Sequence, residues 1–178
     1  MDTPPDYLAE GLSVVFVGLN PGLESARVGH YFASRRTRFW RAANQAGVFD
    51  PPLDAATDHR ALEQGIGFTD VVKRPTSGSS GLRAADFKRW APVLKRNLLR
   101  YSPHIVCFHG MVAYRNYLKR AEGIDARAVL GLQGHGIGRS RVFVVPNPSP
   151  ANAAYSLEDL AGWYTKLISL RAEMETAP

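Results

Sequence analysis

The chain has one cysteine, Cys107, and that scarcity removes several kinds of chemistry. No internal disulfide can form, and neither an iron–sulfur cluster nor a multi-cysteine zinc site can be assembled. The neighbours Ile105, Val106 and Phe108 read as an apolar setting in which the thiol is inert. The five histidines show no metal-ligand spacing. His104 and His109 flank a predicted strand and read as packed or capping side chains. No metal or other cofactor is therefore expected. No apolar run reaches the ~18 residues that a membrane-spanning helix needs. Residues 1–10 are acidic and contain proline, unlike a secretory leader, so a cytoplasmic protein is expected. There is no Walker A loop, no GxGxxG turn and no serine in a nucleophile-elbow context. No internal repeat or low-complexity tract interrupts the chain.

Acidic residues are also in short supply. Sixteen Asp and Glu stand against 22 Lys and Arg, a net charge of +6. The isoelectric point near 9.7 favours an anionic partner such as nucleic acid. At 178 residues with 45% hydrophobic content, a single domain with a sizeable core is expected over residues 1–178. Residues 1–11 read as a lead-in and residues 171–178 as a mobile tail.

The chain is organised around Val14-Val15-Phe16-Val17-Gly18-Leu19-Asn20-Pro21-Gly22. Four apolar β-formers without alternation predict a strand buried on both faces, which in turn predicts a parallel sheet. Pro21 restricts Asn20 to extended backbone, and the flanking glycines allow close approach. Further strands are predicted at residues 66–72, 104–108 and 141–145. Helices are predicted from Thr37 to Gly47, over residues 57–64 and 84–101 with a break at Pro92, over 110–121, and after the N-cap Ser156. Residues 23–36, 73–82 and 130–138 read as loops. The expected fold is a three-layer αβα sandwich around a mainly parallel, four-stranded sheet.

Asn20, Asp70 and Asn147 each fall at or just after the end of a predicted strand. Parallel strands gather such ends along one edge, where ligands of open α/β sheets sit. A lone carboxylate beside two carboxamides suits activation of water. The acid accepts a proton while the amides hold a planar partner that has both donors and acceptors.

Gly18-Leu19-Asn20-Pro21-Gly22 resembles the first motif of the uracil-DNA glycosylase superfamily, in its mismatch-specific (MUG/TDG-like) branch. Gly29-His30-Tyr31-Phe32, Arg38-Phe39-Trp40, Gly65 to Asp70, Arg74-Pro75-Thr76 and Val145-Pro146-Asn147-Pro148-Ser149 follow in that branch's order and spacing. The resemblance spans about residues 12 to 170. It implies a monofunctional DNA glycosylase that flips uracil, and with it other deaminated or damaged bases, out of DNA and hydrolyses the N-glycosidic bond to begin base excision repair. It assigns the base contact and water placement to Asn20, and pocket lining to Gly18 and Leu19. It assigns stacking to Phe32, the base carbonyl to Asn147, and entry into the DNA to Pro148, Ser149, Pro150, Ala151, Asn152 and Tyr155. Phosphate contacts are expected from Arg35, Lys73 and Arg74. The implied partner is uracil-containing DNA, double- or single-stranded. The protein is expected to act as a monomer, associated with the nucleoid.

Two departures bear on these expectations. Asp70 occupies a position that is amide, basic or acidic across the family; as a carboxylate it is read as a general base. Pro150-Ala151-Asn152-Ala153-Ala154-Tyr155 lacks the Gly-Leu-Ser-Arg type wedge of the mismatch-specific branch and resembles the hypoxanthine-DNA glycosylase branch instead. Two other readings stay open. One is a DNA-binding protein of the same fold that holds uracil or abasic sites without turnover; the other is an α/β enzyme acting on a phosphorylated or nucleoside ligand.

Overall fold

The computed structural model describes residues 2–178. Strand β1 (Val14–Gly18) is buried along its whole length. A strand apolar on both sides needs a neighbour on each edge and a layer on each face. It has both: β2 (Ile66–Asp70) and β3 (Ile105–His109) pair with it in parallel. Two more strands complete the sheet, β4 (Gly131–Leu132) and β5 (Arg141–Val145), in the order β2-β1-β3-β5-β4. All pairings are parallel except that of β4 with β5.

Helices α1 (Leu23–Val28), α2 (Phe39–Gln45), α3 (Ala84–Tyr101), α4 (Met111–Tyr117) and α5 (Leu157–Thr176) cover the sheet. On one face Phe16, Phe68, Cys107 and Val145 pack with Phe39, Trp40 and Tyr164. On the other Val15, Val17, Val106 and Phe108 pack with Phe87, Leu94, Tyr114 and Tyr117. The three-layer α/β architecture is therefore as expected.

The differences have local causes. The sheet has five strands, because β4 lies in the glycine-rich stretch read as a turn; two residues are too few to carry a period. Residues 23–36 contain the one-and-a-half-turn helix α1, which stops at Gly29 with φ of 77°. Thr37 is not a helix cap; Arg38 precedes α2, with no side-chain cap bond. Residues 171–176, expected as a tail, continue α5, whose predicted N-cap Ser156 forms a capping box with Asp159. Helix α3 runs unbroken past Pro92.

The lead-in is tied down. Tyr7 and Phe68 exchange both backbone hydrogen bonds, at 2.9 and 3.0 Å, along the outer edge of β2. This covers an edge that would otherwise present unpaired groups. It also puts the residues around Tyr7 beside the carboxyl end of β2.

Candidate active site

Side chains alternate along a strand, so Phe16 and Gly18, Phe68 and Asp70, and Cys107 and His109 share one face. In register, Gly18 lies opposite Asp70 and His109 opposite Val145. The ends of three adjacent strands therefore deliver Gly18, Asp70 and His109 to one mouth. A cleft of about 760 Å³ opens there, with Asn20, Phe32 and Asn147 also in its wall.

Asp70 is 5% exposed and has no hydrogen-bond donor on its carboxylate among the described residues. Burial pushes its pKa up to about 7; Lys73 pulls the other way and Asp6 adds to the rise. A carboxyl group that ionises near neutrality is suited to accept a proton. Gly18 is required beside it, because a Cβ there would lie 2.4 Å from Asp70 Oδ1.

Asn20 is held by its nitrogen. Nδ2 donates to the Arg74 carbonyl at 2.9 Å, to Thr76 Oγ1 at 2.8 Å and to the Pro21 carbonyl at 3.3 Å. Two of these partners are carbonyls that can only accept, so the amide orientation is set by chemistry. The side chain cannot use its NH2 on a substrate as well. It offers an acceptor, Oδ1.

Asn147 is the complement. Its Oδ1 accepts from the Ser149 amide at 2.9 Å, and Nδ2 has no partner among the described residues. One carboxamide presents an acceptor and the other a donor, each oriented by its own loop.

Phe32 sits at φ of 51°, unusual for a residue with a side chain. Its ring stacks on Phe39 with centroids 4.2 Å apart. The preceding residue is fixed from two sides. The Tyr31 amide donates to buried Asp58 at 2.8 Å, and the Tyr31 carbonyl accepts from Trp40 Nε1 at 3.2 Å.

Of the loop after β5, Ser149, Pro150, Ala151 and Asn152 line the cleft. Pro148 is buried, and Tyr155 packs against the core; neither lines it. Arg38 organises the loop. Its guanidinium donates to the carbonyls of Ser149 (3.1 Å), Asn152 (3.0 Å) and Tyr155. Asn152 Nδ2 donates back to the Asn147 carbonyl at 3.0 Å. Asn152 is thus engaged within the loop.

The basic residues divide. Lys73 bonds Asp6 at 2.5 Å and Thr69 Oγ1 at 2.7 Å, and its side chain is 15% exposed. Arg74 makes a two-pronged pair with Asp86 at 2.8 and 2.7 Å and donates to the Gly81 carbonyl. Both were expected on phosphates; both are instead committed to acids from distant segments, a competition invisible along the chain. Arg35 is exposed and unpaired among the described residues, as is Arg36 on the cleft rim.

Three residues of the site were not singled out from sequence. Thr76 and Arg38 lie inside quoted motifs but were given no role. His109, read as packed, is indeed buried, yet it lines the cleft. Burial lowers its pKa to about 3, so the imidazole is neutral. Nε2 bonds the Tyr164 hydroxyl at 2.8 Å, and Nδ1 has no partner among the described residues. Those residues hold no His, Cys, Asp and Glu grouping that could bind a metal, and no helix long and apolar enough to cross a membrane.

The family model described as the uracil DNA glycosylase superfamily matches residues 5–168. Among solved structures, the chain is similar to a solution NMR structure from Methanosarcina acetivorans, provisionally named a uracil DNA glycosylase. The two share 21% identity over 98% of each chain, with a TM-score of 0.63, a likeness of fold.

Proposed function

Because the chain belongs to the uracil DNA glycosylase superfamily, we propose that it hydrolyses the N-glycosidic bond of uracil flipped out of DNA, with other deaminated or damaged bases as further substrates. The observation that carries this reading is the pairing of an unpartnered, buried carboxylate with two amides of opposite polarity at one mouth.

Extruding a base costs a few kcal/mol in lost stacking and pairing. Phe32, backed by Phe39, offers the extruded ring a new stacking surface. Ser149 to Asn152, held by Arg38, form the segment that enters the vacated space. Arg35 and Arg36 contact flanking phosphates, which position the DNA without reading sequence.

Water bound between Asn20 Oδ1 and Asp70 attacks the anomeric carbon. Its proton passes to the Asp70 carboxylate as the carbon–nitrogen bond breaks, and the electron pair leaves with the base. The departing uracil carries charge on O2 and N1. Asn147 Nδ2 donates to its carbonyl oxygen, a preoriented donor where charge develops. A lyase step needs an amine nucleophile. No lysine lines the cleft among the described residues, and Lys73 is held by Asp6, which supports a monofunctional enzyme.

The motifs favour the mismatch-specific branch, but the loop Ser149-Pro150-Ala151-Asn152 lacks that branch's bulky wedge. We therefore read opposite-base discrimination as weak. The test is an excision panel of uracil, thymine, hypoxanthine and ethenocytosine, in single strands and opposite each base. Abasic product from uracil in several contexts is expected. Binding without product from any substrate would replace this reading with a non-catalytic damage binder.

A further inference from the structure

Asp6, Lys73, Thr69 and Tyr31 form a polar cluster behind the site whose members come from four segments. Asp6 Oδ1 receives Lys73 Nζ at 2.5 Å and Thr69 Oγ1 at 2.7 Å, with the Tyr31 hydroxyl at 3.5 Å. Lys73 Nζ also bonds Thr69 Oγ1 at 2.7 Å. Thr69 immediately precedes Asp70, and Lys73 follows it by three residues. Lys73 is the cation whose charge acts on Asp70, yet its ammonium is bonded elsewhere. A carboxylate paired with an ammonium in a buried site loses its basicity. Asp6 reaches the cluster because Tyr7 is pinned to Phe68.

We propose that Asp6, in the N-terminal lead-in, is a positioning residue for this site: it holds Lys73 against Thr69 and so keeps that ammonium from pairing with Asp70. The lead-in is then part of the proton-transfer machinery and more than a cover for the sheet edge. The proposal rests on Asp70 being the proton acceptor. The direction of each influence on Asp70 agrees with it, since Lys73 lowers its pKa and Asp6 raises it. The other groups around Asp70 do not supply a competing charge. Tyr31 and Tyr7 have hydroxyls pushed up by burial and stay neutral, and His109 on β3 is held neutral. Asp58 is bonded to the Tyr31 amide, to His30 and to Tyr7, and is not among the charges that act on Asp70.

The two partners give opposite signatures. In Asp6→Asn, Lys73 is released toward Asp70 and the direct repulsion from Asp6 is lost, so the Asp70 titration moves down by about one unit or more. In Lys73→Met the attraction is lost and the titration moves up. In the Lys73→Met background, Asp6→Asn has a much smaller effect, because its main route runs through Lys73.

The measurement is a carbon-13 titration of the Asp70 carboxyl by NMR in the full-length protein and the three variants, with urea unfolding to verify that each is folded. The acid limb of single-turnover uracil excision is recorded alongside. Opposite movements, with the effect of Asp6→Asn muted in the double variant, uphold the proposal. It is overturned by a titration unmoved in both single variants, or by an equal effect of Asp6→Asn with and without Lys73. Should the titration move as expected while the excision profile stays in place, the coupling of Asp6 and Lys73 to Asp70 is real, but Asp70 is not the proton acceptor and the positioning role of Asp6 in catalysis falls with it.

Discussion

Replacing Asp70 by Asn separates the two consequences of burying that carboxyl group. Its pKa is raised from 3.8 to about 7, chiefly by burial. The folded protein therefore binds more protons at this site than the unfolded chain does between those values. Stability falls as pH rises through that window, and the loss is complete above the folded pKa. Each unit corresponds to about 1.36 kcal/mol, so the ceiling on the loss is about 4 kcal/mol. Asn carries no charge at any pH and has nearly the same shape. The assay is urea unfolding followed by circular dichroism, from pH 4 to pH 8, on both proteins. Their difference in unfolding free energy should shift toward the variant by about 2–4 kcal/mol across that range. His109 contributes with opposite sign: its pKa is lowered to about 3, so its share of stability grows as pH rises toward 6.5. Both proteins carry His109, so that contribution cancels. In the same variant, single-turnover excision should fall by about 10²–10⁴-fold. A difference that stays flat with pH would refute the assignment of a costly buried charge. Unchanged excision would remove Asp70 from the chemistry.

Other substitutions test other parts of the site. Gly18→Ala introduces a methyl group 2.4 Å from Asp70 Oδ1, so excision should drop at least tenfold while DNA binding is largely kept; equal loss of both would point to general unfolding. Arg38→Met leaves three loop carbonyls without their donor, which should cost about 2–4 kcal/mol in urea unfolding and speed proteolysis within residues 149–155. Thr76→Val removes one anchor of the Asn20 amide, and the expected result is a lower excision rate at unchanged affinity for abasic-site DNA. Salt titrations of DNA binding discriminate among the basic residues: Arg35→Ala should reduce the slope of log K against log salt by about 0.9, whereas Arg74→Ala, whose partner is Asp86, should leave the slope alone and lower stability instead.

Much of the architecture was legible in the chain because it follows from local rules. Four unbroken apolar β-formers before a Gly-Asn-Pro-Gly turn can be satisfied only in the middle of a covered parallel sheet, and β1 occupies that place. The strand ends carrying Asn20, Asp70 and Asn147 had to converge once the sheet was parallel, and all three line one cleft. The two-residue strand β4 and the short helix α1 escaped notice because neither is long enough to show a period. Which atoms of those side chains remain available was a tertiary decision. Asn20 and Asn147 are the same residue type, but one has its nitrogen held by Arg74 and Thr76 and the other its oxygen held by Ser149. Lys73 and Arg74 read as free cations along the chain, and nothing there marked Arg38 as a donor to the loop after β5. Asp6, Asp86 and the carbonyls of the loop after β5 claim them only when segments between 12 and 117 positions away arrive beside them. Sequence alone determined that a carboxylate and two amides would meet at one sheet edge. The packing around them decided which lone pairs and protons face the cleft, because a hydrogen bond made inside the fold is no longer available outside it.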